Sequence, residues 1–182
     1  VQAEKTENHL IETQDLKAIT YKDAEGHTDD IAGVSVHVNS MYELVEKALA
    51  NGPVALGPFA NGGYYATEAE FGSSGWKGFV SLFVSNGNLV NVYWSAVDKD
   101  NRDKQTVAKE GGYGMIKAST IGKEWHEQAA AVQSYLLSTQ DPKKISYKDD
   151  KGHTDDIAGA TVHVNDFYAL VDQAMKSGVK KY

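Results

Sequence analysis

Asp155-Asp156-Ile157-Ala158-Gly159-Ala160-Thr161-Val162-His163-Val164-Asn165 places one hydroxyl, that of Thr161, behind three small residues and ahead of an apolar run of helical period. Val164, Phe167/Tyr168, Val171 and Ala174/Met175 recur at the spacing of one amphipathic face, which predicts a helix running to about Gly178. Thr161 then falls at or just before the first turn, and Gly159 and Ala160 leave backbone amides uncovered. Unpaired N–H groups and the positive end of a helix favour an anion, so this spacing predicts a phosphate held beside the hydroxyl. The competing reading is an ordinary helix cap, in which the side chain accepts a hydrogen bond from the first turn and contributes ~1 kcal/mol.

The same stretch occurs earlier, at Asp29 to Asn39. Ile19 to Leu49 aligns without gaps to Ile145 to Met175 at an offset of 126 residues, with about 20 of 31 positions identical, and Leu10 to Asp15 matches Leu136 to Asp141. No first copy of residues 58 to 125 is present. Residues 1–52 are therefore expected to be the C-terminal half of a first repeat whose other half lies upstream, and residues 53–182 a complete domain. Pro53, Pro58, Gly52 and Gly57 read as the linker between them. The first piece is expected to be ordered, with the face of Val38, Met41/Tyr42, Val45 and Ala48/Leu49 buried against either the complete domain or a neighbouring chain.

Tyr64 to Glu70 alternates, and two apolar runs, Gly78 to Val84 and Leu89 to Trp94, flank an Asn86-Gly87 turn, which predicts an antiparallel meander. Asp98 to Lys104 reads as an exposed polar loop. Trp125 to Leu137 carries a helical face of Trp125, Gln128/Ala129, Val132 and Tyr135/Leu136, ended by Pro142. Ile145 to Asp149 with the return at Gly152-His153-Thr154 reads as a small hairpin. Strands first and helices later indicate an α+β class, an antiparallel sheet with helices packed on one side.

Asp156-Ile157-Ala158-Gly159-Ala160-Thr161 resembles the Asp-x-(Ser/Ala)-Gly-Ala-Thr motif of the bacterial FMN-binding domain family. Gly62-Gly63-Tyr64-Tyr65-Ala66-Thr67-Glu68-Ala69, Gly75-Trp76-Lys77-Gly78, the Asn86-Gly87-Asn88 hairpin and Tyr113-Gly114-Met115 follow the order of elements in Gram-positive surface flavoproteins of that family. The resemblance implies an FMN-binding-domain-like fold and FMN carried covalently by Thr161 through a phosphoester. Asp156, Gly159 and Ala160 would belong to the attachment motif, Asp156 as part of what the flavin transferase recognises. The first copy offers Gly33 and Ser35 at the matching positions. Where the family often has Ser or Thr after the modified threonine, this chain has His163 and Val164. His163 would donate a hydrogen bond to the phosphate. Tyr113 and Met115, between glycines that let a flat ring come close, are the expected flavin neighbours, with Tyr64, Trp76 and Trp125 as further aromatic candidates against an ordinary core role. Ser35 is expected to be the weaker site, because Val34 replaces the motif's alanine and is β-branched.

Composition bounds the rest. A net charge of −7 argues against nucleic acid, the Lys176 to Lys181 tail being a short frayed end, and there is no cysteine for thiol chemistry, disulfides or thiolate metal sites. No apolar run is long enough to span a bilayer. A metal at His153, Asp155 and Asp156 is disfavoured, because adjacent aspartates rarely converge on one ion and turn roles need nothing further. No Ser-His-Asp arrangement, P-loop or Rossmann glycine fingerprint is present. The first residues do not resemble a signal peptide. The resemblance implies an extracytosolic, lipid-anchored electron carrier whose lipobox cysteine was lost with the natural start. It implies a flavin transferase and a membrane electron donor as partners, and material made without the transferase would lack FMN. The alternative is a non-redox surface module that binds a ligand or partner, its Thr and Ser motifs serving only as helix caps.

Overall fold

The computed structural model describes residues 1–180, and the chain divides into two compact units, residues 1–54 and the unit beginning at Ala55. The boundary falls two residues past the expected one. Gly57 and Pro58 are part of the second unit: Gly57 N–H donates to Asn86 O (2.9 Å) and Phe59 N–H to Gly87 O (3.1 Å). A side chain at Gly57 would start 2.1 Å from the Gly87 carbonyl oxygen, which explains the glycine. The expected basic tail is docked as far as Lys180, whose N–H donates to Gly63 O at 2.8 Å; Lys181 lies outside the described residues.

The second unit is α+β. Strands β1 (Gly62–Thr67), β2 (Lys77–Ser85) and β3 (Asn88–Val97) form an antiparallel meander in the order β1-β2-β3. Asn86 and Gly87 close the hairpin with φ of 51° and 75°, the left-handed pair that a two-residue turn between twisted strands requires. Tyr64, Ala66, Val80, Leu82, Val84, Val92 and Trp94 face one side and are buried, whereas Tyr65, Phe83 and Val90 face solvent. On the buried side lie helices α4 (Trp125–Thr139), against β3, and α5 (Asn165–Ser177), against β1 and β2. Val132, Leu136, Val164, Phe167 and Val171 are fully buried between them, each such side chain contributing roughly 1.5–3 kcal/mol.

Two departures from expectation matter for the site. The polar run after β3 is exposed only to Arg102; Asp103 then accepts from Thr106 N–H (3.0 Å) and caps a short helix α3 (Lys104–Lys109), which turns Lys104 and Gln105 inward. The expected hairpin at Ile145 to Thr154 contains no strand. The Asp149 carboxylate instead collects the amides of Lys151 and His153, both at 3.0 Å, so a side-chain-centred turn replaces a ladder.

β3 is an edge strand, and glutamines cover it. Gln140 accepts from Leu89 N–H (2.7 Å) and returns a bond to Leu89 O (2.9 Å), while Gln133 accepts from Trp94 N–H (2.7 Å) and Gln105 donates to Trp94 O (2.7 Å). The edge is thereby blocked at Leu89 and Trp94 against pairing with another strand.

The first unit has two helices, α1 (Gln2–Thr13) and α2 (Asn39–Ala50), around a small core of Ile31, Val34, Val38 and Tyr42 with Leu10, Leu16 and Ile19. The expected apolar face is thus covered from within at Val38 and Tyr42. Val45 is half-buried and Leu49 is exposed. The repeat also reaches further back than Leu10. At the offset of 126, α1 matches α4 from Gln2/Gln128 onward, and both helices end on a left-handed glutamine, Gln14 (φ 51°) and Gln140 (φ 55°).

Candidate functional site

Helix α5 begins at Asn165, with Val164 in the capping position and no side-chain cap, so Thr161 lies three residues ahead of the cap. Neither the expected cap nor an anion cradle in the first turn is what this residue forms. Of the two amides predicted to be uncovered, that of Ala160 is taken, donating to Ile157 O (3.3 Å); nearby, Val164 N–H donates to Gly152 O (2.9 Å) and Thr161 N–H to Oε1 of Gln128 (2.7 Å). The Thr161 hydroxyl donates to the same Oε1 at 3.1 Å. Gln128 is fully buried, and its amide nitrogen is fixed in turn by Ser119 Oγ and Lys123 O, both at 3.2 Å. The hydroxyl is therefore positioned from α4, by a side chain 33 residues away.

Thr161 opens on a cleft of about 630 Å³ in the second unit. Tyr113, Met115, His163, Trp76 and Trp125 share that lining, so the structure brings together five of the residues picked from the sequence. Tyr64 is not among them; it is a core residue whose hydroxyl donates to Ala60 O (2.6 Å). Asp156, Gly159 and Ala160 stand behind the hydroxyl, outside the lining. Asp156 accepts from Ser146 N–H (2.6 Å), Ala160 is buried, and Gly159 has a φ of +88°, with Lys123 Nζ 2.8 Å from where a Cβ would sit. His153 and Asp155 are spent elsewhere, on Asp149 (2.5 Å) and Lys148 (2.7 Å).

Three charged groups at or beside the cleft have no counterpart in the sequence reading. Lys104 Nζ lies 4.4 Å over the Trp125 ring, 4.6 Å over Tyr113 and 5.6 Å from Trp76. Burial pushes its ammonium down to about 8, opposed only in part by Glu68. Glu124 is buried. It accepts from Met115 N–H and from Trp125 N–H, each at 2.7 Å, which ties the Tyr-Gly-Met loop to the start of α4. Glu68 accepts from Gly78 N–H (2.6 Å) on the opposite wall. Burial, with Glu124 second, raises the Tyr113 phenol above its ordinary range.

In the first unit the hydroxyl clamp recurs. Ser35 N–H donates to Gln2 Oε1 at 2.8 Å and Ser35 Oγ to the same oxygen at 3.4 Å, again 33 residues apart. Gly33 repeats the positive φ of Gly159, at +74°. Ser35 is exposed, however, and Val34, expected to crowd the Ser35 amide, is packed into the small core.

The fold has counterparts in known proteins. A solution NMR structure of a protein from Clostridium thermocellum is 43% identical, with 68% of this chain and 97% of that one covered and a TM-score of 0.52. The chain belongs to the family of that clostridial protein. A crystal structure of a Clostridium perfringens protein, 22% identical over 66% of this chain and 89% of its own with a TM-score of 0.52, shares the fold. A 15 kDa lipoprotein of Treponema pallidum (strain Nichols) is 24% identical over 123 residues, 68% of this chain and 79% of that protein. No family model matches. No helix of the described residues is long and apolar enough to cross a membrane.

Proposed function

We propose that the second unit carries FMN covalently on Thr161 and passes electrons outside the cytosol. The observation that carries this reading is the hydroxyl itself: it caps no helix, and a hydrogen bond to a fully buried glutamine holds it in the lining of an aromatic cleft. The cleft suits the group. Its volume of about 630 Å³ lies within the range of ligand sites, roughly 300–1,000 Å³. Trp76, Tyr113 and Trp125 offer flat walls, and Lys104 supplies a cation without a directly bonded carboxylate among the described residues. FMN, when attached, supplies the redox chemistry; the chain supplies attachment, orientation and a field.

Attachment by transfer of the FMN phosphoryl group from a flavin diphosphate donor would form the Thr161 O–P bond and break the donor's P–O–P bond, with its other phosphate as leaving group. The hydroxyl proton would be released to solvent, which removes one donor to Gln128. The stronger backbone bond, Thr161 N–H to Oε1 at 2.7 Å, stays and keeps the residue in place. His163, exposed beside Thr161, can donate to a phosphate from the solvent side. Lys104 lies among the rings, where a positive charge favours an anionic ligand. A lipoprotein among the relatives supports a membrane-anchored surface location. The proposal further requires a flavin transferase as modifying enzyme and a membrane donor of electrons.

The test is a visible spectrum of protein co-expressed with a flavin transferase. A flavin absorbance that survives denaturation and desalting is expected. Complete loss of colour on denaturation, with an active transferase confirmed on another substrate, would refute covalent attachment.

A further inference from the structure

The two copies of the repeat differ at one chemically telling place, the turn that precedes each hydroxyl. In the first copy Glu25, His27 and His37 each offer one donor atom, all within 4.8 Å of one another. Glu25 Oε2 lies 3.7 Å from His37 Nε2 and 3.9 Å from His27 Nδ1, and the two imidazole rings meet edge to face at 4.3 Å. Ligands about 2.0–2.1 Å from a tetrahedral ion stand roughly 3.4 Å apart. The three donors are thus within a few tenths of an ångström to an ångström or so of that spacing, without an ion.

We propose that Glu25, His27 and His37 form a binding site for a divalent transition ion of the zinc type. Two neutral imidazoles and a carboxylate are a donor set for such ions, and hard ions such as calcium would require more oxygens. Asp23 completes the neighbourhood. Its Oδ2 holds His27 Nδ1 at 2.6 Å, and its Oδ1 gathers the amides of Glu25, Gly26 and His27, so the histidine that faces Glu25 is fixed in place beforehand. Nδ1 faces both carboxylates, and once it ligates the ion it gives up its hydrogen bond to Asp23, whose Oδ2 is then left beside the ion as a fourth ligand. The bound ion would fasten the turn to the segment entering α2.

The second copy is a built-in control. His153 and His163 meet at 4.3 Å, and Asp149 holds His153 Nδ1 at 2.5 Å, so the frame is the same. At the place of Glu25 it has Lys151, whose ammonium cannot ligate a cation and repels one. The glutamate therefore decides between a site and none. Zinc titration by calorimetry at pH 7, on tag-free protein, tests this. One saturable equivalent is expected for the wild type, none for Glu25→Lys or His37→Ala, and two for Lys151→Glu, which transplants the missing ligand. All three substituted positions are exposed, and circular dichroism shows that each variant remains folded. Absence of saturable binding in the wild type, equal binding by Glu25→Lys, or a folded Lys151→Glu protein that takes no second equivalent overturns the proposal.

Discussion

Oε1 of Gln128 accepts two hydrogen bonds from Thr161, one from the backbone N–H at 2.7 Å and one from the hydroxyl at 3.1 Å. One buried side chain on α4 thereby sets both the position of the segment ahead of α5 and the direction of its only hydroxyl. Gln128→Leu removes the acceptor and leaves the Thr161 amide without its partner. We expect a loss of roughly 2–4 kcal/mol in denaturant unfolding together with slower flavin attachment. Unchanged stability would mean that the clamp is not what positions this segment.

The Lys104 ammonium is desolvated among three rings, which sets a sign for stability against pH. A lysine whose folded pKa lies near 8, below the 10.5 of the free side chain, is a burden while charged in the fold. The penalty is full below pH 8 and fades as pH rises towards 10.5. Lys104→Met is therefore expected to raise the stability of flavin-free protein by on the order of 2 kcal/mol at pH 7, and the gain should shrink between pH 8 and 10.5. A gain that is constant across that window would contradict desolvation as the cause.

Much of this arrangement can be read from the residues alone, and the reason differs by element. The meander follows from alternation and the Asn86-Gly87 turn, and both long helices of the second unit follow from their apolar faces, because local periodicity fixes them. Tyr113, Met115, Trp76, Trp125, Thr161 and His163 were picked on motif and setting, and they do line one cleft. Gln128 was visible as a member of a buried face but its partner was not, since a contact across 33 residues leaves no local pattern. The repeat held the missing signal: Gln2 and Ser35 stand at the same separation as Gln128 and Thr161. The polar run before Lys104 has the pattern of a loop and hides the inward turn made by the Asp103 cap. The start of α5 is masked in the sequence, because Val162 and Val164 continue the apolar pattern without being helical.

Gly159 holds a φ of +88° behind the hydroxyl, and a Cβ there would meet Lys123 Nζ at 2.8 Å. The lysine end can move; the backbone angle cannot. Gly159→Ala should lower stability by about 1–2 kcal/mol and shift Thr161 relative to Gln128. Thermal unfolding checks the first part, and a rate of flavin attachment lower than that of the wild type checks the second.

Asp149 is held down at about 2 by the His153 amide first and then by the His153 ring. A carboxylate depressed in the fold lends stability that is complete above its unfolded pKa near 4 and is lost as pH falls through 2. Asp149→Asn should accordingly be less stable than the wild type at pH 6, and the gap should close towards pH 2. Parallel acid-unfolding curves for the two proteins would show that this turn does not contribute.

Ser35 has the clamp but is exposed, with Gln2 Oε1 farther from its hydroxyl, at 3.4 Å, than Gln128 is from that of Thr161. Flavin is expected first, or only, on Thr161. Higher occupancy on the Ser35 peptide would reverse that ranking.

The central claim is that the Thr161 hydroxyl is the attachment point, and peptide mass mapping of wild type and Thr161→Val, each co-expressed with a flavin transferase, tests it most directly. Valine keeps the shape and the backbone bond to Gln128 while removing the nucleophile. The wild-type peptide spanning Thr161 should gain the mass of one FMN phosphoester, and the folded variant should carry none in the second unit. Flavin still covalently bound to that unit in Thr161→Val would contradict the account.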